Sequence, residues 1–140
     1  MDIGKVNGLI NVPTSINNGF FRYWIEFLSP FHNLTPREMD IAASFMKQRH
    51  ILSKAIKDTA ILDRVTMSED TKRKVIEECK ITPSHFQVIM GKLRKSKIIE
   101  DGKLNPKFLP KNIEEGDKSC KLLLYFDLDA GDIQASSSET

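Results

Sequence analysis

Residues 68–104 hold two helix signals and a hairpin signal in quick succession, and that succession limits the fold more than any other feature. Ser68 suits a helix N-cap, and Glu69 and Asp70 place negative charge where the helix dipole favours it. The spacing predicts a helix over 69–79 with a narrow apolar stripe of Val75, Ile76 and Cys79. Lys80-Ile81-Thr82-Pro83 is a tight turn. Thr82 caps the next helix and Pro83 takes its first position, where a missing N–H costs nothing. Ile81 and Phe86 form a hydrophobic staple, and Phe86, Ile89, Met90 and Leu93 repeat at helical steps. That repeat buries one face and leaves Val88 on the other. Lys97-Ile98-Ile99 reads as a strand, Glu100-Asp101-Gly102-Lys103 as a hairpin turn, and Leu104 as the return strand. This is the spacing of a winged helix-turn-helix. The expected fold class is mainly α, with three or four helices and a small antiparallel β-sheet.

The flanks extend that core. Residues 1–18 lack periodicity and read as an N-terminal arm, in which Leu9, Ile10 and Val12 offer apolar anchors to a partner. Residues 19–29 read as an aromatic helix that Pro30 stops. Phe20, Phe21, Tyr23, Trp24 and Phe27, followed by Phe31, exceed what one buried stripe needs. Phe20, Tyr23, Trp24 and Phe27 are therefore candidates for a protein interface. Thr35, Pro36 and Glu38 make a capping box, with Leu34 and Met39 as its staple. The helix they open is expected to run to about residue 56. Ala60, Ile61, Leu62 and Val65 suggest one further helical turn. Residues 121–128 have the composition of a strand that would pair with the hairpin. The domain is thus expected over 19–128, with a flexible acidic, Ser-rich tail over 129–140.

A chain of 140 residues with 40% apolar and 29% charged residues suits one globular domain. No apolar run approaches the roughly 18 residues of a membrane span, so no membrane role is expected. Cys79 and Cys120 do not make a disulfide framework. A reduced, packed thiol at Cys79 fits a cytoplasmic setting. His32, His50 and His85 have no metal-ligand spacing, and the glycines are too scattered for a phosphate loop. No catalytic residue, cofactor or metal is expected.

Charge is uneven. Residues 47–107 carry fifteen Lys/Arg against eight Asp/Glu, a net of +7, between a segment of −1 before them and one of −4 after them. A basic centre is compatible with a nucleic-acid face. Its candidate contacts are Lys92, Arg94, Lys95 and Lys97 to phosphates and Gln87 to a base. Against it stand Glu100 and Asp101 at the hairpin tip and the lack of Arg or Asn among Ser84, His85, Gln87 and Val88. Cations at a helix C-terminus also complement the dipole without any ligand.

Two segments resemble a known group when taken together. One is Phe20-Phe21-Arg22-Tyr23-Trp24-Ile25-Glu26-Phe27-Leu28 with Leu34-Thr35-Pro36-Arg37-Glu38. The other runs from His85-Phe86-Gln87-Val88-Ile89-Met90-Gly91-Lys92-Leu93-Arg94-Lys95 to Asp101-Gly102-Lys103-Leu104-Asn105-Pro106. The pattern, over residues 19–126, resembles a small protein of crAss-like and related tailed phages of gut bacteria. It contains no ligand motif, so it assigns no functional residue. The resemblance implies a head–tail connector or ring component, or else a small helix-turn-helix regulator. The aromatic helix, arm and tail favour the first: a non-enzymatic virion assembly protein that binds copies of itself and other virion proteins. It would be assembled in the host cytoplasm. The alternative is a winged-helix DNA-binding protein of phage transcription or replication.

Overall fold

The structure, a computed structural model, describes residues 8–16, 19–111, 113, 119–124 and 126–128. The chain divides into two units, Pro13–Lys111, and Met1–Val12 together with Asn112–Thr140. The first holds α1 (Phe20–Phe27), α2 (Ser29–His32), α3 (Pro36–Ser53), α4 (Thr59–Thr66), α5 (Glu69–Cys79), α6 (Pro83–Lys95), β1 (Ile99–Glu100) and β2 (Lys103–Leu104). The protein is thus mainly helical with a small two-stranded antiparallel sheet. No helix among the described residues is long and apolar enough to cross a membrane.

Helix α3 is the centre of the unit. Met39, Ile41, Ala42, Ala43, Ser44, Phe45, Met46 and Gln48 are all buried on it, so it is covered on several sides rather than along one stripe. It packs against α1, α4, α5 and α6. Its capping box forms as expected: Thr35 Oγ1 accepts from Glu38 N–H, and Glu38 Oε1 accepts from Thr35 N–H at 3.0 Å. Arg37, in the same first turn, donates to the carbonyls of Cys79 and Lys80. That places a cation on the C-terminus of α5, where the dipole favours it. It also steadies Lys80, which caps α5 with a left-handed φ of 51°.

The aromatic helix differs from its expected form. It ends at Phe27, and Pro30 does not stop it; Pro30 lies in the first turn of α2, where proline is tolerated. The break at Leu28 lets His32 turn inward. Its Nδ1 accepts from Leu34 N–H at 2.9 Å, so its Nε2 carries the hydrogen donated to Ile25 O at 2.8 Å. His32 therefore ties the end of α1 to the start of α3. Helix α3 ends at Ser53 rather than 56, although Ile56 N–H still bonds Leu52 O at 2.9 Å. The suggested single turn at 60–65 is the full helix α4, because Asp58 caps it by accepting from Ile61 N–H. The separate α2 and the full α4 raise the helix count among the described residues of Pro13–Lys111 to six.

Helices α5 and α6 and the hairpin follow the expected order. Val75, Phe86, Ile89, Met90 and Leu93 enter the core with Ile98, Ile99 and Leu104. Strand β1 starts at Ile99 rather than Lys97, because Lys97 takes a left-handed φ of 67°. Asn105 fixes this kink by donating its side-chain amide to Lys97 O at 2.9 Å. Glu100 pairs with Lys103 across a two-residue turn. Asp101 at φ 57° and Gly102 at φ 74° give that turn its type I′ form, which suits an Asp-Gly pair.

The strand expected over 121–128 is absent among the described residues, and no third strand joins the hairpin. Each strand of the ladder is two residues long, and Leu122-Leu123-Leu124 lacks the alternation that sends one face to a core. These leucines, like Leu9 and Ile10, are exposed. Residues 1–7, 129–140 and Tyr125 lie outside the described residues.

Candidate nucleic-acid interface

Helix α6 has two contrasting faces. Phe86, Ile89, Met90 and Leu93 face the core, so the steps between them turn Ser84, His85, Gln87, Val88, Gly91, Lys92, Arg94 and Lys95 to solvent. Thr82 Oγ1 accepts from His85 N–H at 3.2 Å and fixes the start of the helix. The three-residue link 80–82 joins α5 to α6, and α6 packs on α3.

The electrostatics of α6 set it apart. The helix contains three cations and no carboxylate. Among the described residues no ion pair engages Lys92, Arg94 or Lys95. On α5, by contrast, Lys72 reaches Glu69 at 3.7 Å and Arg73 reaches Asp70 at 2.9 Å. Residues 80–111 hold eight Lys/Arg against Glu100 and Asp101, a net of +6. Lys97, the remaining candidate phosphate contact, sits past the helix end with Glu100 at 3.9 Å. The structure thus brings Gln87, Lys92, Arg94 and Lys95 onto one exposed helix face and leaves Lys97 at the base of the hairpin.

Gly91 was not legible as a site residue in the sequence, because glycines inside helices have no single meaning. Here a Cβ at position 91 would meet no atom within 4 Å. No packing against a described residue explains a residue that weakens a helix by about 1 kcal/mol relative to alanine. Gly91→Ala should therefore raise stability by roughly 0.5–1 kcal/mol. Thermal denaturation of the two proteins checks this, and a lower melting temperature for the variant would point to a hidden packing role.

The four aromatic candidates divide. Phe20 and Trp24 lean on the core, and Trp24 Nε1–H donates to Phe108 O at 2.7 Å. Tyr23 is 47% exposed and Phe27 51%, and Phe31 on α2 is more open still at 64%.

A shallow groove of about 290 Å³ lies beside α1, α3 and α5. Its charges are already matched. Arg22 Nε donates to Asp40 Oδ1 at 2.8 Å, and Glu78 takes Ser44 Oγ–H at 3.0 Å and Lys47 Nζ at 2.8 Å. Burial alone would lower the pKa of the Arg22 guanidinium, but hydrogen bonds to Asp40 and Glu26 more than reverse it, so the group stays charged. Burial pushes the Cys79 thiol up, so the sulfur at the groove's edge is protonated at neutral pH and a weak nucleophile. Among the described residues no three His, Cys, Asp or Glu side chains could hold a metal together.

Comparison with protein-family models, with curated proteins and with solved structures finds no match to this chain.

Proposed function

We propose that the unit Pro13–Lys111 is a winged-helix-like module that binds nucleic acid through the exposed face of α6. The observation that supports this is the cation set Lys92, Arg94 and Lys95 on that face, on a helix that carries no carboxylate and with no ion pair to them among the described residues. Such cations release condensed counterions when they neutralise phosphates, and that release drives binding. Glu100 and Asp101 repel phosphates, so contact falls on the C-terminal half of α6 rather than on the hairpin tip. Three phosphate contacts give a slope of log affinity against log salt of about −2.7. Titrating fluorescent duplex at several salt concentrations measures it. Absent binding, or binding indifferent to salt, would sink the reading.

A second reading has its own observation, the exposed aromatic trio Tyr23, Phe27 and Phe31. Exposed aromatic patches mark interfaces. In this reading the chain is a non-enzymatic component of a tailed-phage virion that self-associates or docks on a connector ring. Tyr23→Asp combined with Phe27→Asp should then abolish association seen by light scattering and leave helical content intact. A wild type that stays monomeric, alone and with connector proteins, would remove this reading.

A further inference from the structure

We propose that the acidic C-terminal segment 129–140 docks on the exposed cationic face of α6 and competes there with nucleic acid. The inference rests on the nucleic-acid reading and adds its regulation. Charge points to it. The unit Pro13–Lys111 holds eighteen Lys/Arg against eleven Asp/Glu, a net of +7. Residues 112–140 hold two against seven, a net of −5. Within them, residues 129–140 carry Asp129, Asp132 and Glu139 and no Lys or Arg. Helix α6 carries the converse set, Lys92, Arg94 and Lys95 with no carboxylate. No ion pair engages those three among the described residues, whereas Lys47, Arg49, Lys72 and Arg73 each have a carboxylate partner. A face that suits anions and an anionic segment therefore belong to one chain.

The face also has an apolar element. Val88, Lys92 and Lys95 are spaced by four and three residues, so they form one stripe along α6. Val88 is 62% exposed. The segment holds the complementary types in reverse order, Asp129, Asp132 and Ile133. Val88 to Lys95 covers about 10.5 Å of helix axis, and Asp129 to Ile133 covers about 13 Å when extended. Docked antiparallel to α6, the segment sets Ile133 on Val88, Asp132 by Lys92 and Asp129 by Lys95.

The chain is long enough to make this contact. Lys95 is four residues from Ile99, Ile99 pairs with Leu104, and Leu104 is seven residues from Lys111. Lys111 therefore lies within about 45 Å of Lys95 along that path. Asp129 is eighteen residues beyond Lys111, a length that can span about 60 Å. Each exposed ion pair is weak alone. Tethering raises the local concentration of the segment to the order of millimolar, so three pairs acting together compete with a free ligand. Duplex DNA carries one charge per about 1.7 Å, far denser than three carboxylates in twelve residues, so it displaces the segment. The segment excludes sparser anions and lowers affinity for duplex without abolishing binding.

The test compares the full chain with a full-length variant carrying Asp129→Asn, Asp132→Asn and Glu139→Gln. Fluorescence anisotropy at about 50 mM salt measures binding to duplex DNA, and the variant should bind about fivefold tighter. A control carrying Glu114→Gln, Glu115→Gln and Asp117→Asn removes the same charge from the same flank and should gain less than about twofold. Carbodiimide coupling, which joins a carboxylate to an amine in contact with it, gives a readout without nucleic acid. Mass spectrometry should find Lys92 or Lys95 joined to Asp129 or Asp132 within one chain, and excess duplex should suppress these products. A variant that binds like wild type, a control that gains as much, or the absence of such cross-links would overturn docking on α6 and leave the proposed function standing. Cross-links in a chain that binds no duplex would overturn the proposed function and the competition with it.

Discussion

Phe86→Ala should cost about 3–5 kcal/mol of folding stability, the range for emptying a fully buried phenylalanine site. Phe86 is 0% exposed. Its ring centroid lies 6.0 Å from that of Phe45 at the contact between α3 and α6. It is also the staple partner of Ile81, a buried residue of the link between α5 and α6. Truncation leaves a cavity that the central helix, fixed on several sides, cannot collapse to fill. Small domains are stable by about 5–15 kcal/mol, so the loss removes a large part of the total. Val88→Ala, two residues along on the solvent face, should change stability by less than about 0.5 kcal/mol. Urea denaturation of both variants gives the comparison. Equal midpoints would mean that the faces of α6 are assigned the wrong way round.

That prediction draws on a part of the chain where local signals agree. Ser68, Thr82, Pro83 and the Phe86 repeat each encode a feature within four residues, and each appears in place. The Asp101-Gly102 turn is equally local. What could not be read depends on distant partners. His32 spends both ring nitrogens on backbone groups, a role that spacing cannot distinguish from any other histidine's. Arg37 caps a helix more than forty residues away. Pro30 carries one meaning inside a helix and another in a first turn, and only the break at Leu28 decides between them. Residues 121–128 have the composition of a strand but no partner edge in the described structure. At the interface, the cations could be counted in the sequence. That no described carboxylate pairs with Lys92, Arg94 or Lys95, and that open space lies beside Gly91, required coordinates.

The same cations carry the second large effect. Lys92→Gln combined with Lys95→Gln should weaken binding to duplex DNA by about 200-fold at about 50 mM salt, and by about 20-fold at about 200 mM. Each lysine that neutralises a phosphate contributes about 0.9 to the slope of log affinity against log salt, so losing two lowers the slope by about 1.8. The variant and wild-type lines therefore converge as salt rises, and their separation at low salt measures counterion release alone. Glutamine keeps most of each aliphatic stem and helix propensity close to that of lysine. Both positions are exposed and unpaired in the described structure, so folding stability should not change. Lys72→Gln combined with Lys74→Gln on α5 provides the control, since it removes the same net charge from a neighbouring helix. If that pair lowered the slope as much as the α6 pair, binding would follow overall charge and α6 would hold no privileged place. If the α6 pair kept the wild-type slope, Lys92 and Lys95 would not touch phosphate. The exposed aromatic face of α1 and α2 would then be the surface through which this chain works.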